Sequence, residues 1–273
     1  MSFRTALTLA AAALVVGGAA ARAANAESQD DADVKNAIFR NQSAIEVNPK
    51  NPKTRMALGK LYLTSGNLEG AVEQFQKACE LAPNDSSTHV CLARAYIRKK
   101  DFPNALAALK NAVKVDPNNS DVQFKTGEVL SRLQQTDAAI AAFRQSLKLN
   151  SGSGATHREL GASLGEKGDV DAQILEEKKA VELSPDDSDA FFYLGTAYIA
   201  KGDKKDAAEA LEKCTSIDAK NGDAYRMLAG VYAADSKFPK AITCAETALK
   251  LDPENKAFKR TLDKIKAAAA ANR

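Results

Sequence analysis

The stretch from Pro52 to Asp85, PKTRMALGKLYLTSGNLEGAVEQFQKACELAPND, contains the pattern that the rest of the chain repeats. Its Pro83 belongs to a series of prolines spaced by 34 residues or a multiple of 34, namely Pro49, Pro83, Pro117, Pro185 and Pro253. The two positions of this series that lack proline are Ser151 and Ala219. The sequences around the prolines are similar to one another, as in EVNPKN, KVDPNN and KLDPEN. A fixed period of this length predicts a chain built from repeated supersecondary elements.

Small and large residues recur at fixed positions inside these repeats. In the first repeat they are Leu58, Gly59, Tyr62, Ala71, Phe75, Ala78 and Pro83. They resemble the L-G-x2-Y, A-x3-F and closing P pattern of the tetratricopeptide repeat family, with Arg55 where the family often has tryptophan. The resemblance implies an all-α fold, a right-handed α-solenoid of six 34-residue helix-turn-helix repeats with an N-terminal half repeat and a C-terminal capping helix.

Glycine recurs at one phase of the pattern, at Gly59, Gly127, Gly161 and Gly195. Glycine inside a helix costs roughly 0.5 to 1 kcal/mol relative to alanine. We therefore expect the two helices of each repeat to approach closely there, with large residues such as Phe75 filling the space beside the contact. No repeat buries its apolar face alone, so stability is expected to come from stacked neighbours.

The phase of the pattern sets the predicted boundaries. A half repeat or cap is expected at 27–51. A capping helix is expected at 256–273, where Phe258, Leu262 and Ile265 share one helical face. The six repeats between them span 52–85, 86–119, 120–153, 154–187, 188–221 and 222–255.

Residues 1–26 have the three-part form of a secretory signal peptide. A short basic start precedes an apolar run from Ala6 to Val16, and small residues with A-x-A patterns follow. We expect cleavage after Ala26, with Ala23 as the alternative, and export to the periplasm or the medium without a transmembrane anchor. An uncleaved anchor and an organelle transit peptide are the alternatives, but the apolar run is shorter than the roughly 20 residues of a spanning helix.

Charge and motifs exclude several classes of function. Without residues 1–26 the chain has 36 basic and 35 acidic side chains, so it lacks the basic footprint of a nucleic-acid-binding protein. The sequence has no nucleophilic residue with a plausible general base beside it, and no glycine-rich loop of the kind that binds phosphate. His89 and His157 fall where the family places a core aromatic, so we expect packed structural roles. We expect no catalytic residue, cofactor, metal or small-molecule substrate.

The four cysteines allow two disulfides if the protein is exported. Cys79 and Cys91 lie on consecutive predicted helices, and Cys214 and Cys244 lie on the second helices of adjacent repeats. Each pair is a candidate disulfide, provided that the two Cα atoms lie within about 7 Å. The alternative is four buried thiols. A metal site made of Cys79, His89 and Cys91 lacks an evident fourth ligand.

The resemblance also implies where a ligand binds. In the family the first helices of the repeats line a concave groove, and side chains at the second, fifth, sixth, ninth, twelfth and thirteenth positions face the ligand. The implied groove residues are Lys53, Met56, Lys60, Leu63, Val90, Arg94, Ile97, Arg98, Phe124, Lys125, Glu128, Arg132, Arg158, Glu159, Phe192, Tyr193, Ile199, Arg226 and Met227. This surface suits an extended peptide or a helix with acidic and apolar side chains. The alternative is a solvated face without a specific ligand.

Two functions fit these expectations. One is a non-catalytic scaffold that binds another protein in the groove, within a bacterial envelope, secretion or pilus-type assembly. The assembly is an analogy from the family. The other function is that of a regulatory or substrate-presenting subunit of an exported enzyme.

The junction from Asn150 to Gly154, NSGSG, keeps the 34-residue phase although its proline is missing. A linker between independent domains has no reason to keep that count, so we expect one continuous array. In the following repeat, Gln173 and Glu177 stand where the family has alanine and a large apolar residue. We therefore expect the array to be softest, and least protected in hydrogen exchange, between Asn150 and Glu177.

Overall fold

The structure is a computed structural model that describes residues 32–272, so the signal peptide predicted at 1–26 lies outside the described residues. Within the described range the regular structure is helical throughout, which confirms the all-α repeat fold. None of these helices has the length and apolar content that crossing a membrane requires. The helices are α1 (32–47), α2 (Pro52–Thr64), α3 (Leu68–Leu81), α4 (Ser86–Arg98), α5 (Phe102–Val115), α6 (Ser120–Arg132), α7 (Thr136–Leu149), α8 (Gly154–Glu166), α9 (Val170–Leu183), α10 (Ser188–Lys201), α11 (Lys204–Ile217), α12 (Gly222–Ala234), α13 (Phe238–Leu251) and α14 (Lys256–Ala271).

The described residues divide into two compact units, an N-terminal unit that ends at Pro117 and a C-terminal unit that begins at Asn118. In the N-terminal unit α2 packs against α3, α3 against α4, and α4 against α5. In the C-terminal unit α6 to α13 pack in consecutive pairs, and α14 packs against α13. Here each first helix also contacts the next first helix, from α6 through α8, α10 and α12 to α14. These helices form a row. The family pattern assigns the groove to the surface of this row.

An asparagine, aspartate or serine precedes the first helix of every repeat and the capping helix. In each case a side-chain oxygen accepts a hydrogen bond from a backbone N–H of the first turn. Such a cap stabilises a helix by typically about 1 kcal/mol. The 34-residue period is therefore present in the helix starts as well as in the prolines. The capping residues are Asn51, Asp85, Asn119, Ser153, Asp187, Asn221 and Asn255.

The NSGSG junction keeps this cap although it lacks the proline. Ser153 Oγ accepts hydrogen bonds from the Thr156 N–H at 3.3 Å and from the Thr156 hydroxyl at 2.7 Å. The carbonyl oxygen of Ser151, at the vacant proline position, lies 3.2 Å from His157 Nε2. The turn is therefore tied to the helix that follows it, and the soft joint between Asn150 and Glu177 stays a prediction.

Polar side chains at the fourth position of three repeats bind the carbonyl six residues earlier. His89 Nε2 lies 2.9 Å from the Pro83 carbonyl oxygen, in the same arrangement as the His157 contact. Arg55 Nε and Nη2 donate to the Pro49 carbonyl at 3.0 and 2.8 Å. Both histidines are buried. They have the packed structural roles expected from the sequence, and they also hold the turns between repeats.

Close packing between the two helices of a repeat depends on glycine. A Cβ atom at Gly127 would lie 2.5 Å from the Phe143 ring, and one at Gly59 would lie 2.6 Å from the Phe75 ring. Both rings are fully buried. The glycines therefore let a large ring of the second helix lie directly on the backbone of the first, as their recurrence predicts.

In the fourth repeat a polar side chain, and not an aromatic ring, lies against the helical glycine. Gly161 faces Glu177, whose side chain is 0% exposed, and neither carboxyl oxygen has a hydrogen-bond partner among the described residues. Burial raises the pKa of Glu177 to about 9, and the nearby Arg158 guanidinium acts in the opposite direction. The carboxyl is therefore protonated at neutral pH. Gly165 faces the buried amide of Gln173 in the same helix pair.

Candidate functional site

The groove residues implied by the sequence all lie on the first helices of their repeats. The exposed ones are Lys53, Lys60, Arg94, Arg98, Arg132, Tyr193 and Ile199. The half-buried ones are Met56, Val90, Ile97, Phe124, Lys125, Glu128, Arg158, Glu159, Phe192, Arg226 and Met227. Leu63 differs because it is only 8% exposed and belongs to a core cluster with Phe75 and Ala95. It is part of the core and not of the groove surface.

Two cations of the N-terminal unit lie beside one thiol. Burial raises the pKa of Cys91, and the positive charges of Lys60 on α2 and Arg94 on α4 oppose this effect. The helices α2 and α4 are also in contact. Lys60 and Arg94 are thus both close enough to act on the Cys91 thiol, and the basic character of this part of the groove face stays a prediction.

Arg158 and Phe124, two of the implied groove residues in the C-terminal unit, contact other side chains of the protein. Arg158 Nη1 donates to Asp187 Oδ2 at 2.7 Å, and Arg158 Nη2 donates to Glu159 Oε1 at 3.2 Å. The centroid of the Phe124 ring lies 5.8 Å from that of Phe143, with 51° between the ring planes. We assign Arg158 and Phe124 to the stability of the unit.

Apolar side chains of α10 reach the surface of the row of first helices. The rings of Phe192 and Tyr193 meet edge to face, with centroids 5.8 Å apart, and Tyr193 is 37% exposed. Ile199, further along the helix, is 38% exposed.

An apolar cavity of about 350 Å³ opens beside Ile199 in the C-terminal unit. It lies between α10, α12 and α14, close to the start of α11. The lining residues are Ile199, Gly202, Lys204, Arg226, Met227, Gly230, Val231, Ala234 and Thr261. Three of these residues, Ile199 on α10 and Arg226 and Met227 on α12, are groove residues in the family pattern. The structure thus places groove residues of two different helices at one cavity.

Gly230 leaves the backbone of α12 exposed to this cavity. A Cβ atom at this position would meet no atom within 4 Å. Gly230 occupies the ninth position of the sixth repeat, which is a groove position, but a residue without a side chain gives no sign of a contact. Lys204 and Thr261 lie outside the groove pattern, because Lys204 begins α11 and Thr261 belongs to α14.

The four cysteines are free thiols in the structure, with Cys214 buried and Cys79, Cys91 and Cys244 half-buried. Burial raises the pKa of all four, that of Cys214 to about 11. A raised pKa disfavours the thiolate, which is the reactive form. The pairings of Cys79 with Cys91 and of Cys214 with Cys244 stay predictions.

Several solved structures resemble this fold. A chain of the APC/C hetero-tetramer Cut9-Hcn1 matches with a TM-score of 0.66 and 18% identity, over 85% of this chain and 46% of that chain. YrrB, described as a TPR protein with an unusual peptide-binding site, matches with a TM-score of 0.59 and 24% identity, over 67% and 95%. The pilF protein of Pseudomonas aeruginosa matches with a TM-score of 0.68 and 15% identity, over 78% and 97%. At these identities the likeness concerns the fold alone.

A family model agrees with the helical repeats. The tetratricopeptide model described as the cilia and flagella-associated protein 70 C-terminal domain matches residues 3–230. No relative was found among curated proteins. The family match covers most of the chain and coincides with paired helices, periodic caps and glycine contacts. The chain belongs to the tetratricopeptide repeat family.

Proposed function

We propose that the protein is a non-catalytic scaffold that binds an extended peptide or a helix of another protein in its groove. Membership of the tetratricopeptide repeat family supports a function in protein–protein interaction. The observation that carries the proposal is the apolar cavity at the row of first helices, formed by α10, α12 and α14. A concave apolar site with a few polar groups at its edge is typical of a binding site.

The charges around the site favour a partner with acidic and apolar side chains. Lys204 and Arg226 line the cavity. Cations placed around apolar surface attract carboxylates and steer their approach. Because Lys204 is exposed and Arg226 only half-buried, binding is expected to weaken as salt screens these charges.

We further propose that the protein works in the periplasm or after secretion, in an envelope, secretion or pilus-type assembly. The support is the signal-peptide pattern of residues 1–26. The likeness to pilF concerns architecture and does not carry the function.

Filling the cavity tests the proposal. A Gly230→Leu substitution places an isobutyl group where no atom lies within 4 Å of the added Cβ. Leucine is also a better helix former than glycine, so the variant is expected to fold. The matched control is Ala141→Leu, a small-to-large change at an exposed position of α7 outside the cavity.

The measurement is quantitative mass spectrometry of proteins crosslinked to the tagged chain in the cells that produce it. We expect a protein partner that Ala141→Leu retains and that Gly230→Leu reduces by about tenfold or more, since the leucine occupies the space of a buried partner side chain. An identical set of crosslinked proteins for both variants would contradict the site. Failure to crosslink any protein would contradict the scaffold function.

A further inference from the structure

The cavity has a cation at each end. Arg226 lies in the first half of α12, and Lys204 Nζ donates a hydrogen bond to the carbonyl oxygen of Ala234, the last residue of α12, at 2.8 Å. A helix rises about 1.5 Å per residue, so Arg226 and Ala234 are about 12 Å apart along the axis. Gly230 lies midway, and residues spaced by four share one face of a helix. The two cations therefore bracket the open floor at Gly230.

The centre of the cavity is apolar. The side chains of Ile199, Met227 and Val231 line it. A protein cavity of about 150 Å³ holds a benzene molecule. The cavity of about 350 Å³ found here therefore admits one large aliphatic or aromatic side chain of a partner.

Each cation has donors for a carboxylate beyond its bond within the protein. Arg226 Nε donates to Asp223 Oδ1 at 3.2 Å, and a guanidinium carries about five N–H donors. Lys204 uses one donor for the Ala234 carbonyl, and an ammonium carries about three. Lys204 is exposed and Arg226 is half-buried, so both are within reach of a ligand from solvent.

An extended peptide matches the spacing of these groups. Alternate side chains of an extended chain point the same way, and each residue advances the chain by about 3.3 Å. Side chains at positions i, i+2 and i+4 therefore span about 13 Å. That length is close to the rise of about 12 Å along α12 from Arg226 to Ala234, whose carbonyl oxygen binds Lys204.

We propose that this cavity recognises an extended segment with one large apolar side chain and a carboxylate side chain two residues before and two residues after it. The inference rests on the proposed binding function and names the partner sequence that the site selects. The apolar side chain fills the cavity above Gly230, and the two carboxylates bind Arg226 and Lys204.

Fluorescence anisotropy with a labelled, end-blocked peptide, Gly-Ser-Asp-Ser-Leu-Ser-Asp-Ser-Gly, tests this with the purified full chain. We expect saturable binding that weakens about tenfold or more when the peptide leucine becomes alanine. Replacing either peptide aspartate by asparagine should weaken binding about threefold. On the protein side, Gly230→Leu should abolish binding and Ala141→Leu should leave it unchanged.

A charge swap tests the two cations individually. Arg226→Glu should weaken binding of the aspartate peptide and restore it for one of two peptides in which a single aspartate is lysine. Which of the two is rescued gives the direction of the chain in the groove. Lys213→Glu, on the exposed surface of α11 outside the cavity, is the matched control and should change nothing.

The outcomes separate the sequence motif from the proposed function. No saturable binding at millimolar peptide, or binding that ignores the peptide charges, overturns the motif. An alanine-rich helical peptide with its groups at i, i+4 and i+8 that binds more tightly also overturns it. In any of these cases, a cellular partner lost with Gly230→Leu keeps this cavity as the binding site. Retention of every partner overturns the motif and the cavity as the site, and absence of any crosslinked partner overturns the scaffold function.

Discussion

Replacing Glu177 by leucine raises the free energy of unfolding at pH 7 by about 3 kcal/mol. The Glu177 side chain is 0% exposed, and burial raises the pKa of its carboxyl from 4.5 to about 9. At pH 7 the folded protein keeps this proton and the unfolded chain releases it, so the release favours unfolding. Leucine fits the same place, because Leu211 lies on Gly195 at the equivalent position of the fifth repeat.

The sign of the pH dependence follows from the raised pKa. The contribution of Glu177 to stability is fully present below pH 4.5 and is lost as the pH rises toward about 9. Between pH 5 and pH 7 the wild type therefore loses about 2–3 kcal/mol relative to the leucine variant. Arg158 opposes the shift of the pKa, whereas Glu159, Asp187 and Glu176 add to it.

Urea unfolding followed by circular dichroism at pH 5 and pH 7 measures both effects. Glu177→Gln isolates the proton, because a neutral amide removes the pH dependence and keeps a polar group in the core. Glu182→Leu, at an exposed position of α9, is the control, with an expected change within about 0.5 kcal/mol. A leucine variant no more stable than the wild type at pH 7, or equally stabilised at both pH values, would contradict this account.

The same substitution at two helical glycines has opposite effects on stability. Gly127→Ala should lower the free energy of unfolding by about 1–3 kcal/mol, because an added methyl group must displace the buried ring of Phe143. The approach of 2.5 Å leaves no room for a Cβ. Gly230→Ala should raise it by about 0.5–1 kcal/mol, because alanine favours the helix and the added Cβ enters open space.

Parallel urea titrations of the two alanine variants give this comparison directly. Both changes are glycine to alanine inside a first helix of the C-terminal unit, so helix propensity is matched and packing alone differs. Two shifts of the same sign would show that the contact between Gly127 and Phe143 does not constrain the packing of the third repeat.

Much of the fold follows from sequence because its determinants are periodic. The prolines, the glycines that contact large side chains and the apolar positions of the helices all follow the 34-residue period. The caps carry the same period, as Asn51 and Asn119 show. Ser153 keeps a cap at the junction without proline. The contact between His157 and the Ser151 carbonyl could not be predicted from the sequence, because a family pattern gives a position and not a hydrogen-bond partner.

The candidate site follows only in part, because position on a helix does not decide whether a neighbour occupies a side chain. Arg158 lies at a groove position but is bound by Asp187 and Glu159, and Leu63 turns into the core. Conversely, Gly230 contributes to the cavity because it has no side chain to fill the space above α12. A cavity arises from how helices of different repeats meet, which spacing along one helix does not contain.

The proposed binding site for a protein partner is the cavity between α10, α12 and α14. Photocrosslinking in the cells that produce the protein tests it most directly, with a photoreactive phenylalanine analogue at Thr261 on the cavity wall or at Ala141 on α7. We expect a protein adduct from Thr261, its loss when Gly230→Leu is added, and no adduct from Ala141. Equal adducts from both positions, or an adduct at Thr261 that survives Gly230→Leu, would contradict the claim.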